Sequence, residues 1–191
     1  MKSAAAAADL PRDGLAEIAL VGRSNVGKSS LINALVRQRV ARTSAAPGKT
    51  RLANIYRVVR GGANPFYLVD LPGYGYARGG QTSAVEFEKL THVFFAVRGV
   101  RLQPDIGALL LVDARHPGLE SDLEAWRWLQ PTVERVAIVA TKIDKLTRGE
   151  RIRALKEFES VFEMSALPVS AVTGEGLDDL WKLIAQQLTS A

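Results

Sequence analysis

The 191-residue sequence contains no cysteine and only two histidines, His92 and His116. The absence of cysteine excludes a disulfide framework and thiolate metal sites. Neither histidine has a metal-ligand or triad partner at a spacing typical of such sites, so we interpret both as structural residues. No apolar run approaches the roughly 20 residues that a membrane-spanning helix needs. The sequence therefore predicts a cytoplasmic protein without membrane contacts.

The amino terminus also lacks the features of a signal peptide. Residues 1–13 include five consecutive alanines but no leucine-rich apolar segment, and they end in a polar stretch. We predict a flexible N-terminal tail at residues 1–13 and one globular domain at residues 14–191. A domain of this length buries about 70% of its unfolded surface and needs no covalent staples. No dimerisation element is visible, which favours a monomer.

Residues 22–29 read GRSNVGKS and match the phosphate-binding pattern GxxxxGK[ST] without a mismatch. An apolar run precedes them and a helix-like run follows, which is the context that the motif requires. Gly22 and Gly27 let successive N–H groups turn toward phosphate oxygens. Lys28 would reach the β- and γ-phosphates, and the Ser29 hydroxyl would ligate Mg²⁺. The motif predicts a nucleoside triphosphate site, the alternative being a glycine-rich turn that matches by chance.

A second segment predicts the base. Residues 141–144 read TKID and follow the apolar run 136–140. The Asp144 carboxylate can accept hydrogen bonds from guanine N1–H and the exocyclic amine, whereas adenine lacks that donor pair, so ATP would leave Asp144 unpaired. The Lys142 stem can lie along the base. The alternative is a solvated loop with charged residues.

Two further segments follow predicted strands. Residues 70–73, DLPG, come after the strand-like run 66–69, so that Asp70 would hold Mg²⁺ through water and the Gly73 N–H would sense the γ-phosphate. A strand followed by a Pro-Gly turn is the alternative. Residues 167–171 read LPVSA and place the Ala171 N–H to contact guanine O6. Ligands of open α/β sheets lie at the carboxyl ends of the strands, where all four loops fall.

The alternation of elements predicts an α/β fold with helices on both faces of a mostly parallel sheet. We predict strands at 18–21, 54–59, 66–69, 108–113, 136–140 and 167–170, and helices at 28–37, 83–97, 121–129, 149–160 and 176–188. The short connection between the second and third strands permits only an antiparallel hairpin. The sheet should therefore have six strands, one of them antiparallel. The three tryptophans fall in helices and are interpreted as packing residues: Trp126, Trp128 and Trp181.

The 25 Lys and Arg residues exceed the 20 Asp and Glu residues, and the formal net charge is +5. Basic residues cluster after the first helix, in the next loop, around position 100 and at 145–153. Such a surface could neutralise RNA phosphates. An ordinary basic protein has the same composition, so charge alone names no partner.

The order of GRSNVGKSS, PGKT, DLPGYGYA, TKID and SA along the chain resembles the TRAFAC GTPases, and within them the EngB (YsxC/YihA) family of ribosome-biogenesis GTP-binding proteins. The match is close at residues 22–33, 43–50, 70–77 and 111–122, and it extends from about residue 17 to the last helix. The GYGYA and DARHP segments are more specific than the general GTPase loops. The resemblance implies a P-loop small-GTPase domain, GTP and GDP as ligands, Mg²⁺ as cofactor, and the large ribosomal subunit, with its rRNA and ribosomal proteins, as partner. It also implies a link to cell division and septation.

The resemblance adds two switch segments. Thr50, in the loop that contains Gly48 and Lys49, occupies the position of the threonine that ligates Mg²⁺ when GTP is bound, and the second switch would span residues 74–88. The GTP contacts implied in total are Gly22, Arg23, Ser24, Asn25, Val26, Gly27, Lys28, Ser29, Ser30, Gly48, Lys49, Thr50, Asp70, Leu71, Pro72, Gly73, Thr141, Lys142, Ile143, Asp144, Val169, Ser170 and Ala171.

One departure from the Ras-like pattern concerns hydrolysis. Tyr74 stands where Ras-like enzymes have the glutamine that orients water, and an aromatic ring cannot do this, so we expect slow turnover. In relatives with asparagine at the position of Asn25, its side chain helps to hold a K⁺ ion that acts in place of an arginine finger. The alternative is that Asn25 only stabilises the loop turn. Lys28, Thr50 and Asn25 are thus the candidate catalytic residues.

Two rival functions remain. A generic GTPase switch that acts on a protein target would use the same nucleotide site, but the GYGYA and DARHP segments argue against it. A P-loop ATPase or nucleotide kinase is disfavoured by TKID.

Overall fold

The computed structural model describes residues 2–4, 9–41, 53–74, 91, 94–95 and 106–188. The strands are β1 (Lys2–Ala4), β2 (Glu17–Gly22), β3 (Ala53–Val58), β4 (Phe66–Asp70), β5 (Ile106–Asp113), β6 (Arg135–Thr141) and β7 (Ala166–Pro168). The α-helices within these residues are α1 (Lys28–Val36), α2 (Glu120–Thr132), α3 (Arg148–Phe162) and α4 (Leu177–Leu188), with a 3₁₀ turn at Ile143–Lys145. Thr91, Phe94 and Phe95 are helical. They fall within residues 83–97, for which a helix is predicted, and the other residues of that range lie outside the described part.

The strands form one sheet in the order β1-β3-β4-β2-β5-β6-β7. Strands β4, β2, β5, β6 and β7 are parallel, and β3 is antiparallel to β4. All eight residues of β5 are buried, as expected for the central strand of a parallel sheet covered on both faces. All six predicted strands are present, five of them parallel and β3 antiparallel, which confirms that part of the prediction.

A tight turn makes β3 antiparallel to β4. The Ala63 N–H donates to the Arg60 carbonyl at 2.9 Å, and the two residues between them, Gly61 and Gly62, have φ values of 56° and 78°. Two consecutive left-handed residues define a type I′ turn, which glycine adopts without strain. The predicted hairpin is therefore confirmed.

The sheet has a seventh strand that the sequence did not predict. Strand β1 comes from the segment predicted to be a loose tail, and its backbone pairs antiparallel with β3. Leu10 is buried in the core, and Asp13 accepts a 2.7 Å hydrogen bond from the Tyr67 hydroxyl. The structure thus places these residues against the sheet and the core, in the segment that the sequence predicts to be a loose tail. An edge strand such as β3 offers unpaired backbone groups to any extended segment, a property that side-chain composition does not reveal.

Successive residues of the strands point to opposite faces, and each face is covered by helices. On one face, Ile18 and Leu20 of β2 belong to the same cluster as residues of α1 and α4. On the other face, Ala19 and Val21 pack in a cluster with α2 and α3. Trp126 and Trp181 are buried in these clusters and Trp128 packs against one of them, which confirms the packing interpretation. Among the described helices, none has the length and apolar character required to cross a bilayer.

Candidate functional site

The phosphate-loop sequence connects the carboxyl end of β2 to the start of α1. Gly27 is the N-cap of α1 with φ 113°, and no side chain caps this helix end. The N–H groups of the first turn are therefore not occupied by a capping side chain. A Cβ at Gly22 would lie 2.7 Å from the Leu111 carbonyl oxygen, so only glycine lets the loop lie against β5.

The Lys28 side chain is buried beside this loop. Its ammonium donates to the carbonyls of Gly22 at 2.8 Å and Arg23 at 3.3 Å. Burial lowers the pKa of Lys28 to about 8, and the charge of Asp70 opposes this shift only in part. A desolvated cation at the start of a helix is stabilised by an anion, and a phosphate group is an anion of suitable size and charge.

Asp70 ends β4 next to Lys28. Its Oδ1 atom is buried and has no hydrogen-bond partner among the described residues, while the Asn54 side chain hydrogen-bonds to the carboxyl group. Burial raises the pKa of Asp70 to about 6, against the effects of Lys28 and Asn54. A buried carboxylate oxygen without a partner is a suitable acceptor for water molecules of a hydrated Mg²⁺ ion. The residues present therefore fit a magnesium ion.

The buried carboxyl group leads to a prediction about stability. The folded protein keeps a proton on Asp70 up to about pH 6, whereas an ordinary Asp carboxyl releases it near 3.8. Stability therefore falls as the pH rises through this window, by about 3 kcal/mol in total. We expect Asp70→Asn to raise the melting temperature at pH 7 by several degrees, without nucleotide or Mg²⁺, and to flatten the pH dependence between pH 4 and 6. Asp178→Asn, at an exposed carboxylate, is the control, and an equal gain in both variants would contradict the assignment.

The predicted base-reading residues lie in two adjoining loops. Asp144 Oδ1 accepts a 2.7 Å hydrogen bond from the Ser170 hydroxyl, and Ser170 Oγ itself accepts the N–H groups of Val172 and Thr173. The Ser170 hydrogen bond, more than any other contact, holds the pKa of Asp144 below its usual value. The carboxylate is thus ionised and oriented, as an acceptor for a base must be. Ser170, predicted as a nucleotide contact, positions Asp144 in this structure.

The base-reading loop is joined directly to the phosphate loop. The Lys142 ammonium donates to the Asn25 carbonyl at 2.7 Å, and the Thr141 hydroxyl donates to the Val26 carbonyl at 2.8 Å. Asn25 and Lys142 both have left-handed backbones, with φ 63° and 60°. The phosphate loop and the base-reading loop, more than 110 residues apart in the sequence, therefore form one continuous edge of the candidate site.

Sequence reasoning missed two residues that support this edge. The Asp113 carboxylate, at the end of β5, lies 3.0 Å from the Lys142 ammonium and accepts three hydrogen bonds from the backbone and guanidinium of Arg115. Burial alone would raise the pKa of Asp113, but the hydrogen bonds from Arg115 and Lys142 outweigh it and hold this pKa well below the usual range. One sequence signal could have identified Asp113: it is the single carboxylate at the end of the otherwise apolar strand β5. This strand lies beside β2, which leads into the phosphate loop.

The segment at residues 70–73 also contacts the phosphate loop. A Cβ at Gly73 would lie 2.7 Å from the Ser24 nitrogen, and the Ser24 N–H donates to the Tyr74 carbonyl at 2.8 Å. Leu71 is buried in the core. The structure thus brings together the predicted residues of the phosphate loop, of residues 70–73 and of the two base loops. Gly48, Lys49, Thr50, His92 and the second switch beyond Tyr74 lie outside the described residues. His116 is exposed in the turn after β5.

Comparisons with known proteins agree with this arrangement. A family model described as "50S ribosome-binding GTPase" matches residues 17–142. The "Probable GTP-binding protein EngB" of Lacticaseibacillus casei is 40% identical over 189 residues, which cover 96% of this chain and 91% of that protein. The protein of the same name from Thermotoga maritima is 41% identical over 192 residues, which cover 98% and 94%.

Solved structures show the same fold. A crystal structure of a probable GTP-binding protein engB has a TM-score of 0.67 at 22% identity, over 91% of this chain and 98% of that chain. Era in complex with MgGDPNP and nucleotides 1506-1542 of 16S ribosomal RNA has a TM-score of 0.73 at 24% identity, over 93% of this chain but only 58% of that chain. The structural likeness establishes the fold, and the sequence matches establish the family. The chain belongs to the EngB family of GTP-binding proteins and carries a GTPase domain.

Proposed function

We propose that this protein hydrolyses GTP slowly and acts as a nucleotide-controlled factor in assembly of the large ribosomal subunit. The observation that carries the nucleotide part of the proposal is the arrangement at one edge of the sheet. Lys28 and Asp70 lie beside each other at the phosphate loop, and Lys142 joins this loop to the segment that contains Asp144. A desolvated cation, a buried carboxylate with a free oxygen and an oriented ionised carboxylate match the phosphates, the metal ion and the guanine of GTP, in that order.

Roles for individual residues follow from this proposal. The phosphate loop binds the phosphates through its N–H groups and Lys28, and the Gly73 N–H meets the γ-phosphate. Ser29, Thr50 and, through water, Asp70 would hold Mg²⁺, which would neutralise phosphate charge. Asp144 and the Ala171 N–H read the guanine. The assignment of Thr50 rests on the family resemblance.

Hydrolysis is proposed to be slow and stimulated by K⁺. Tyr74 is buried and its hydroxyl donates to Asp122, so this residue does not orient a water molecule as glutamine does. With Asn25 as a K⁺ ligand, phosphate release should be at least severalfold faster in K⁺ than in Na⁺ at equal ionic strength. Asn25→Ala should remove the difference. Equal rates in the two salts, with and without ribosomes, would contradict the K⁺ proposal and leave Asn25 as a loop-stabilising residue.

The part of the proposal that concerns the ribosome rests on sequence similarity and on charge. The matching family model is described as ribosome-binding, and the chain carries a net charge of +5 that can neutralise RNA phosphates. The Era structure is a complex with nucleotides of 16S ribosomal RNA. The monomeric state, the cytoplasmic location and the link to cell division and septation stay predictions.

Co-sedimentation with separated ribosomal subunits tests the partner. The protein is mixed with each subunit in GDP or in a non-hydrolysable GTP analogue, at low and at moderate salt. We expect binding to the large subunit that is stronger with the analogue and survives moderate salt. Binding that ignores the nucleotide and disappears with salt would instead describe a basic protein on RNA, and it would favour the rival GTPase switch with a protein target.

A further inference from the structure

Three polar side chains from separate parts of the chain meet next to the phosphate loop. They are Arg23 of that loop, Tyr74 after the DLPG segment, and Asp122 in the first turn of α2. Asp122 is fully buried at 0% exposure. Its Oδ1 accepts a hydrogen bond from the Tyr74 hydroxyl at 2.7 Å and lies 3.9 Å from Arg23 Nε. We call these three residues the Tyr74 anchor.

The backbone connects this anchor to the site. Arg23 and Tyr74 form a parallel backbone bridge, and the Tyr74 carbonyl accepts the Ser24 N–H at 2.8 Å. Gly73 precedes Tyr74 and lies so close to Ser24 that a Cβ would clash with its backbone. The position of the Gly73 amide is therefore determined by how Tyr74 is held, and the far end of Tyr74 is held by Asp122.

A carboxylate at this place is costly for folding. Asp122 Oδ2 has no hydrogen-bond partner among the described residues, and burial raises the pKa of Asp122, against the effects of Tyr74 and Arg23. Compensation of the α2 dipole does not require burial, because the exposed Glu120 of the same turn serves that purpose. A buried polar group that does not improve stability is better explained by the specific geometry that it imposes.

We propose that Asp122 is a positioning residue for γ-phosphate recognition: through Tyr74 it holds the Gly73 amide against the phosphate loop, and so it sets how much the γ-phosphate adds to the affinity for GTP relative to GDP. This inference rests on the proposed function, in which Gly73 meets the γ-phosphate. GDP lacks that phosphate, so the anchor stabilises only the GTP complex. Pre-positioning of the amide removes an ordering cost from GTP binding.

The test compares two variants with a matched control. Tyr74→Phe removes the hydroxyl, and Asp122→Asn keeps an oxygen acceptor but removes its charge. The control, Tyr67→Phe, removes a tyrosine hydroxyl that donates to Asp13 at the same 2.7 Å, in a different part of the fold. Dissociation constants for GDP and for a non-hydrolysable GTP analogue are measured with Mg²⁺, together with the melting temperature of each protein.

Tyr74→Phe should weaken binding of the GTP analogue about tenfold, since a hydrogen bond to a charged acceptor is lost. Binding of GDP should stay nearly unchanged. Asp122→Asn should shift the ratio of the two constants in the same direction by a smaller factor, and Tyr67→Phe should leave the ratio unchanged. A merely structural role would lower the melting temperature and weaken both nucleotides equally, which would overturn the inference. An unchanged ratio in both variants would overturn it as well. If Tyr74→Phe does not fold, Asp122→Asn decides by the same ratio.

Nucleotide binding by the protein without substitutions distinguishes failure of this inference from failure of the proposed function. If that protein binds neither nucleotide, the GTP assignment fails and the inference fails with it. If it binds both nucleotides and neither variant changes the ratio of their dissociation constants, only the role of Asp122 is refuted.

Discussion

Asp144→Asn should lower the affinity for GTP by about 100-fold or more and allow xanthosine triphosphate to compete with it. In the structure, Asp144 is ionised and oriented by the Ser170 hydroxyl, so it can accept two hydrogen bonds from guanine. Loss of two hydrogen bonds to a charged acceptor accounts for the magnitude. An asparagine amide donates, and xanthine presents a carbonyl where guanine has its amine. The change in base specificity is measured by letting GTP or xanthosine triphosphate compete with a fluorescent nucleotide for the site.

The control for this exchange is Asp179→Asn, which makes the same chemical change at a surface carboxylate of α4 that pairs with Lys182. It should leave the preference for GTP unchanged. An Asp144→Asn protein that still prefers GTP over xanthosine triphosphate would refute base recognition by Asp144, even if its overall affinity had fallen.

Lys28→Met is the second change with a large expected effect. The variant keeps an apolar chain of similar length and removes the cation that lies between the phosphate loop and Asp70. We expect affinity for GTP and the rate of phosphate release each to fall by at least about 100-fold, because a desolvated charge pair between lysine and phosphate is lost. Nucleotide titration and a phosphate-release assay give the two numbers.

The stability of the same variant tells loss of binding from loss of folding. The charged form of Lys28 is costly in the folded protein, since burial lowers its pKa. Removal of the charge also leaves Asp70 without a neighbouring cation, so the two effects oppose each other. The melting temperature without nucleotide should therefore stay within a few degrees of the unchanged protein. Lys156→Met, on the exposed side of α3, is the control, and a Lys28→Met protein that keeps its GTP affinity would contradict the role of Lys28.

Local sequence signals predicted most of the fold, and they also gave the candidate nucleotide residues. The phosphate loop needs its glycines within a few residues of one another, and a wholly apolar strand such as β5 can be recognised in isolation. The hairpin between β3 and β4 could be predicted because Gly61 and Gly62 satisfy the turn by themselves. In each of these cases the physical cause lies within about ten residues of its effect.

Contacts between distant segments could not be predicted in this way. Asp113 and Asp122 were part of a segment that resembled the family, yet their roles depend on Lys142 and Tyr74, which come from other loops. Strand β1 depends on an unpaired edge about 50 residues away. A buried carboxylate in one segment and its donor in another carry no common periodicity, so the sequence offers no local pattern that joins them.

The link between Lys142 and Asn25 has a thermodynamic consequence. Thr141 and Lys142 hold the phosphate loop from the side of the base, so the two loops are ordered together. Coupling of this kind is reciprocal: a ligand fragment that orders one loop increases the affinity of the other for its own fragment by the same factor. We therefore expect guanosine and pyrophosphate, offered as separate molecules, to bind this protein cooperatively, each increasing the affinity for the other.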